Sequence, residues 1–290
     1  MKIRNHLLYH DTGERASWNE TPNKRGNLVE KKPAFIVIHY TGGSTVESAV
    51  STFKNRNSQT SAHLVIGKDG STVQMARFHE RCWHAGRSEW QGTRNLNSYS
   101  VGIELVNWGW LMGEPGHWRS WAGTPVEDEG VVRMAHKYDG QLRGWEAYSP
   151  EQMQTTIDIV RALLQHYQLS PEAIVGHDDI SPGRKQDPGP AFPMVRFRNM
   201  LMSRMDDRVD EPIESDTTHH ETVFSVTAVS GLNLRTGPGI DTAVVKTLRR
   251  DTQLIRLEAE GKWWLVSELV NGQADTTGWV YSHWLTPLRP

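Results

Sequence analysis

The segment AFIVIH, residues 34–39, contains the longest apolar run of the chain and ends on a histidine. A short apolar run of this kind predicts a buried strand. The segment IVGH, residues 174–177, has the same form, and VGIELV, residues 101–106, alternates so that Glu104 lies opposite its apolar residues. Helix-like stretches separate these strands, so we predict an α/β or α+β domain.

Two helices and a hairpin are predicted among these strands. Ser149 and Pro150 form a typical helix start, and apolar side chains recur at helical spacing after them. Residues 44–47 have the S-x-x-E spacing of a capping box, which predicts a helix from there to about Phe53. Residues 63–76 predict two short strands around a Lys-Asp-Gly turn.

The net charge of −2 divides unevenly along the chain. Residues 206–221 carry seven acidic residues, one basic residue and few large apolar side chains, which predicts a linker. Residues 1–205, at +3, form the predicted α/β domain, and residues 107–148 within it have weak periodicity and are interpreted as an insertion. Residues 222–290, at +1, are short apolar runs broken by glycines, which predicts a small all-β barrel.

The composition excludes several classes of protein. Cys82 is the single cysteine, so no disulfide framework is expected and a reducing compartment fits. The longest apolar run is far below the roughly 20 residues of a membrane span, and charges interrupt residues 1–11 before a signal peptide could form. We expect a chain that is cytoplasmic as synthesised, with no membrane span and no nucleic-acid partner; the oligomeric state is left open.

Histidines at two strand ends suggest a site. His39 and His177 occupy positions where α/β folds often place ligand groups, although a single histidine there is more often structural. Lys185 and Asp187 are two residues apart, so in an extended segment both project to one side. Two imidazoles and a carboxylate leave a fourth zinc position for water, and with Glu104 as base they would form an amide hydrolase. The spacing alone is a weak signal.

Five motifs together make the chain recognisable: IVIHYTGG (36–43), SAHLVIGKDG (61–70), CWHAG (82–86), NSYSVGIELVN (97–107) and VGHDDISPGRKQDPGPAF (175–192). They closely resemble the zinc-dependent N-acetylmuramoyl-L-alanine amidases of the AmpD, or type 2, family. The resemblance covers about residues 30–200 in the family's order. It implies a central mixed sheet flanked by helices, and hydrolysis of the amide between the lactyl group of muramic acid and L-alanine in peptidoglycan.

The resemblance also implies roles for residues at the matching positions. One Zn2+ ion per chain would be held by His39, His177 and Asp187. Glu104 would be the general base that activates water, and Lys185 would stabilise the oxyanion of the tetrahedral intermediate.

Four further residues are assigned to substrate binding by the same resemblance: Trp83, His84, Arg94 and Asn95. The phage-lysozyme and recognition-protein branches of the superfamily carry a tyrosine just before His63, where this chain has alanine. That difference places the chain with the AmpD-like branch, and we expect an outer or structural role for His63.

Residues 223–288 resemble a bacterial SH3 domain, chiefly through NLRTGPG (233–239), GKWWLV (261–266) and GWVYSHWL (278–285). Such modules commonly bind cell-wall peptide, so the resemblance implies targeting to peptidoglycan. An inert stabilising module is the alternative, since a fold does not fix a function.

The combined interpretation is a peptidoglycan amidase with a wall-binding module. One alternative is a cytosolic recycling amidase that acts on soluble anhydro-muropeptides, which the AmpD-like motifs and the missing signal peptide favour. The other is a non-catalytic peptidoglycan-binding protein, which the complete set of site residues disfavours. The SH3-like module favours the polymeric wall, reached after lysis or by non-Sec secretion.

Tryptophan and cysteine positions leave two smaller questions. Seven of the 12 tryptophans lie between Trp83 and Trp145, either as an aromatic floor beside an extended substrate or as a local hydrophobic cluster. Cys82 adjoins Trp83 but lies outside the ligand set, so we interpret it as a packing residue rather than a nucleophile.

Overall fold

The computed structural model describes residues 1–202, 223–229, 231–270 and 273–288. The chain forms two compact units, the first from residues 1–109 and the described residues after 146, up to 202. The second unit comprises residues 110–146 and the described residues from 223 onward. The predicted linker, 206–221, lies outside the described residues. Within these ranges, no helix is long and apolar enough to span a bilayer.

Strands dominate both units. In chain order the strands are β1 (Lys2–Arg4), β2 (Leu7–Tyr9), β3 (Ser17–Trp18), β4 (Lys24–Asn27), β5 (Phe35–Tyr40), β6 (Leu64–Ile66), β7 (Thr72–Gln74), β8 (Glu80–Cys82), β9 (Glu89–Trp90), β10 (Thr93–Arg94), β11 (Ser100–Leu105), β12 (Trp110–Leu111), β13 (Val131–Ala135), β14 (Leu142–Glu146), β15 (Ile174–Gly176), β16 (Val223–Val226), β17 (Leu232–Arg235), β18 (Val244–Leu248), β19 (Gln253–Glu260), β20 (Trp263–Val270), β21 (Gln273–Tyr281) and β22 (Leu285–Pro287). The α-helices are α1 (Val46–Lys54), α2 (Pro150–Tyr167), α3 (His177–Ile180) and α4 (Met194–Met202). Short 3-10 helices cover Val29–Lys31, Arg56–Ser58, Leu96–Ser98, Asp128–Gly130, Pro171–Ala173 and Ser282–Trp284.

A six-stranded mixed sheet forms the centre of the first unit, in the order β15-β5-β11-β6-β7-β3. The first four strands of this order run parallel, and β7 pairs antiparallel with β6. The predicted fold class is therefore confirmed for this unit.

Helices cover both faces of this sheet. One face presents Ile38 and Ile103 to a core that includes residues of α2 and α4. On the other face, Val65 packs with Phe53 of α1. Because both faces are covered, every residue of β11 is buried, including Glu104.

The helix starts follow from local capping. Ser149 accepts a hydrogen bond from the N–H of Gln152 and caps α2, as predicted. The predicted capping box at Ser44 is wrong, because α1 begins at Val46 and Oγ1 of Thr45 accepts the N–H of Ser48 at 3.1 Å. The cap is one residue later because Thr45 has the extended backbone that an N-cap requires.

The second unit is all-β and combines two distant parts of the chain. Its main sheet has the order β12-β14-β13-β21-β20-β19-β16-β22, and β17 pairs with β18 and β21. Strands β13 and β21 are parallel, with Arg133 opposite Thr276, and Arg133 forms an ion pair with Asp275 at 2.9 Å. Three strands from the predicted insertion, β12, β13 and β14, thus share a sheet with the C-terminal strands.

Substitution of Trp145 should destabilise the second unit. Trp145 is 1% exposed and donates its indole N–H to the carbonyl of Met134, whereas Trp121 is 64% exposed. We expect Trp145→Ala to lower the free energy of unfolding by about 3–5 kcal/mol, as for other buried aromatic truncations. Trp121→Ala is the matched control and should change it by less than about 0.5 kcal/mol. Urea denaturation measures both, and equal midpoints would contradict the assigned burial.

Candidate active site

Three predicted residues meet at the carboxyl ends of parallel strands. His39 lies in β5, His177 begins α3 directly after β15, and Asp187 lies in the loop beyond α3. Since β5 and β15 are parallel neighbours, their carboxyl ends share one edge of the sheet. All three side chains are buried.

The ligand atoms of these residues converge on one point. Oδ2 of Asp187 lies 2.8 Å from Nδ1 of His39 and 2.9 Å from Nδ1 of His177, and the two nitrogens are 3.0 Å apart. Two imidazoles and a carboxylate are the donor set of a catalytic zinc site, in which ligand atoms lie about 3.3 Å apart. The residues therefore fit a zinc ion.

The protonation states of His39 and Asp187 suit a metal. Burial and the neighbouring His177 lower the pKa of His39 to about 4, so its imidazole is neutral at pH 7. Burial acts to raise the pKa of Asp187, but hydrogen bonds from His177 and His39 hold it below its usual range. Neutral imidazole and ionised carboxylate are the forms that bind metal.

Each histidine also has an outer contact. Nε2 of His39 lies 3.1 Å from Nδ1 of His84, and Nε2 of His177 lies 3.1 Å from the carbonyl oxygen of Ala85. His84 is buried, and this burial together with the neighbouring histidines lowers its pKa well below the usual value. His84, which the family resemblance assigns to substrate binding, therefore contacts the predicted metal ligand His39.

Glu104 lies beside the cluster without joining it. It is the Cα partner of His39 across the β5–β11 pair. Burial and the nearby Asp187 raise the pKa of its carboxyl well above the usual value. Within the described part of the chain, its Oε2 atom has no hydrogen-bond partner. A raised pKa and an uncommitted oxygen are what a general base requires.

The cluster of His39, His177 and Asp187 borders an open cavity of about 490 Å3. Lys185, Trp83 and His84 line it together with Glu104 and the three predicted ligands. The backbone N–H of Trp83 donates to Oγ of Ser61 at 2.8 Å, which fixes the backbone at this residue. A cation, a carboxyl group and an aromatic side chain thus surround one space.

Arg94 and Asn95 line a neighbouring cavity of about 660 Å3 instead. Arg94 is exposed and forms an ion pair with Glu89 at 3.0 Å. Arg184 lines both cavities. Arg94 and Asn95 therefore lie outside the cavity that the cluster borders.

His63 and Cys82 take no part in the site. His63 accepts the N–H of Gly102 at Nδ1 and donates from Nε2 to the carbonyl of Glu80, so both ring nitrogens are used in fixing backbone. Burial lowers the pKa of His63 to about 4. Burial raises the pKa of the Cys82 thiol to about 12.

Two residues that hold this region together were not found from the sequence. Oδ1 of Asn97 accepts the N–H groups of His84 and Ala85 at 3.0 and 2.7 Å. Nη2 of Arg184 lies 2.8 Å from the carbonyl oxygen of Ala85 and 2.6 Å from Oγ of Ser181. Neither residue follows a sequence period, because Asn97 binds backbone 12 and 13 residues earlier and Arg184 binds a carbonyl 99 residues earlier.

A convergent His-His-Asp set with an adjacent base and an open cavity defines the class of metal-dependent hydrolases. The family model described as N-acetylmuramoyl-L-alanine amidase matches residues 29–190, and that described as bacterial SH3 domain matches residues 230–286. The chain therefore belongs to the N-acetylmuramoyl-L-alanine amidase family, whose members are in general zinc-dependent.

Curated relatives carry related names. The chain is 33% identical to N-acetylmuramoyl-L-alanine amidase AmiD of Escherichia coli (strain K12), over 54% of this chain and 49% of the relative. It is 35% identical to 1,6-anhydro-N-acetylmuramyl-L-alanine amidase AmpD of the same organism, over 49% and 59%. It thus spans about half the length of these two relatives. For N-acetylmuramoyl-L-alanine amidase A of Achromobacter lyticus the identity is 35%, over 66% of this chain and 95% of the relative.

Two solved structures align with part of the chain. A crystal structure of AmpD aligns with a TM-score of 0.46 at 24% identity, covering 69% of this chain and 99% of that one. The complex of Escherichia coli AmiD with anhydro-N-acetylmuramic acid-L-Ala-D-gamma-Glu-L-Lys aligns with a TM-score of 0.45 at 26% identity, covering 68% and 66%.

Cys82 should resist alkylation in the folded protein. A thiol of pKa about 12 is ionised to about one part in 10,000 at pH 8, and only the thiolate reacts. We expect no iodoacetamide labelling of the native chain at pH 8 by mass spectrometry and complete labelling in urea. Rapid modification of native protein would show an accessible, ionised cysteine.

Proposed function

We propose that this chain hydrolyses the amide bond between the lactyl group of N-acetylmuramic acid and L-alanine in peptidoglycan, with one Zn2+ ion held by His39, His177 and Asp187. The convergence of these three ligand atoms beside an uncommitted Glu104 carries the proposal. Family membership supports the choice of bond.

The chain's own residues supply proton transfer and charge stabilisation. When bound, zinc would lower the pKa of a water to about 7 and polarise the scissile carbonyl. The Glu104 carboxylate accepts a proton from the attacking water and passes it to the leaving amine nitrogen. The Lys185 ammonium, in the same cavity, offsets negative charge on the carbonyl oxygen.

A raised pKa suits Glu104 to both proton transfers. A carboxylate whose pKa is raised is a stronger base toward the attacking water. Burial of the carboxyl is the first cause of the raised pKa, and the nearby Asp187 adds to it.

We assign wall targeting to the second unit. A cavity of about 640 Å3 in the SH3 region has an aromatic wall of Trp263, Tyr281 and Trp284. Trp284 is 45% exposed, and Arg235, which also lines the cavity, donates to the carbonyl of Thr242. Exposed aromatic faces beside a cation suit a peptide or glycan segment.

A soluble anhydro-muropeptide is the second candidate substrate. The observation that favours it is the name 1,6-anhydro-N-acetylmuramyl-L-alanine amidase carried by relatives at 28–35% identity. The SH3 region favours the polymer, since a diffusible fragment needs no wall anchor.

Substitutions at Asp187 and Glu104 should have different effects on zinc content and on the rate of hydrolysis. Asp187→Ala removes a ligand and should reduce bound zinc from about one ion per chain to well below it, by elemental analysis. Glu104→Gln leaves all three ligands in place, so zinc content should persist while amide hydrolysis falls by at least about 100-fold. An active Glu104→Gln enzyme, or a native chain without zinc, would refute the assigned roles.

Product analysis should identify the substrate. We expect mass spectrometry to detect free stem peptides after digestion of purified sacculi; cleavage of soluble anhydro-muropeptides alone would favour the recycling alternative.

Trp284→Ala should weaken sedimentation with sacculi while leaving hydrolysis of soluble fragments unchanged. The matched control is Leu257→Ala, which alters a 39% exposed apolar residue outside the SH3 cavity. Equal sedimentation of both variants with the parent would rule out the aromatic wall as the anchor.

A further inference from the structure

The outer nitrogens of both histidine ligands contact one short loop, residues 84–85. His39 reaches the imidazole of His84, and His177 reaches the carbonyl of Ala85, each at 3.1 Å and each in a buried setting. A metal-bound histidine donates its second N–H to an outer partner, which fixes its tautomer and ring plane.

We propose that residues 84–85 form a positioning loop that orients both zinc histidines, and that His84 acts through His39 rather than by contacting substrate. This inference rests on the metal site of the proposed function. It deepens that proposal by assigning the outer contacts of the two ligands to one loop.

The ring nitrogens of His84 fit one consistent pattern of donors and acceptors. If Nδ1 of His39 held the metal, the proton of this ring would lie on Nε2, so Nδ1 of His84 would accept it and the proton of His84 would lie on its own Nε2. That N–H faces Ser100, whose carbonyl oxygen and Oγ are both 3.4 Å away. Oγ of Ser100 donates its own hydrogen to the carbonyl of Leu96 at 2.6 Å, so the oxygen presents lone pairs to His84.

The surroundings fix the loop in this position. Asn97 accepts both backbone N–H groups of residues 84–85. A Cβ on Gly102 would lie 2.5 Å from Cγ of His84, so β11 approaches the ring at a distance that only glycine permits. Neither Asn97 nor Gly102 is among the residues that line the cavity of the metal ligands in the described chain.

Zinc affinity tests the loop directly. His84→Leu removes both ring nitrogens, and competition with a chromophoric chelator should show zinc binding weakened about 10- to 100-fold. His84→Asn places an acceptor oxygen near the original Nδ1 and should recover part of the affinity. In the cobalt-substituted protein, the visible absorption spectrum of His84→Leu should differ from that of the parent, because His39 is free to rotate.

Asn97→Ala provides a second test that changes no ring nitrogen. It should weaken zinc binding about tenfold by freeing the loop, whereas Trp83→Phe, the control at the rim of the same cavity, should keep the parent affinity. Urea denaturation of the metal-free variants separates loss of affinity from loss of folding. If His84→Leu does not fold, His84→Asn and Asn97→Ala decide the question.

The outcomes distinguish this inference from the proposed function. Parent-like zinc affinity in His84→Leu and Asn97→Ala, with only KM raised, would overturn the positioning role and return His84 to substrate binding. Failure of the parent chain itself to bind zinc would refute the metal site of the proposed function instead.

Discussion

The in-register pairing of parallel strands β5 and β11 is the constraint on which the site depends. His39 and Glu104 are Cα partners across this pair, and β15, which leads into His177, pairs with the other edge of β5. The opposite face of the same strands carries residues such as Ile38 and Ile103 into the core. A slip of one residue would move every side chain to the other face, so the hydrophobic core that fixes the register also fixes the catalytic geometry.

The buried polar groups of the site fall into two kinds. Asp187 contacts both histidine rings, whereas Oε2 of Glu104 has no partner among the described residues. Leaving a buried polar atom without a partner costs about 1–3 kcal/mol, and native structures carry few such atoms. A partner for Glu104 would stabilise the fold but would also occupy the oxygen that must accept a proton. The contacts of Asp187 therefore agree with the proposed role of a metal ligand, and the free oxygen of Glu104 agrees with the proposed role of a base.

Much of the site could be predicted because its chemistry lies on regular elements. His39 and His177 follow short apolar runs, and Glu104 interrupts an alternating one, so the pattern marks them as candidates and the family resemblance supplies their roles. The orientation of the His84 ring could not be predicted, because it depends on a hydrogen bond from the backbone N–H of His84 to Asn97, 13 residues later in the chain. Gly102 did carry a signal, as a glycine within an apolar strand marks close approach of another group.

The second unit shows why residues 107–148 have weak periodicity. Strand β13 pairs with β21, which lies about 140 residues later in the chain, and Arg133 forms an ion pair with Asp275. A sequence shows hydrophobic periodicity when one face of an element is buried against its neighbours in the chain. A strand that pairs with a distant segment therefore gives a weaker periodic signal. The same pairing argues against testing wall binding by removing residues 222–290. Such a deletion would leave β13 with an unpaired edge and Arg133 without its partner, and a loss of function would then reflect a damaged sheet rather than a missing anchor.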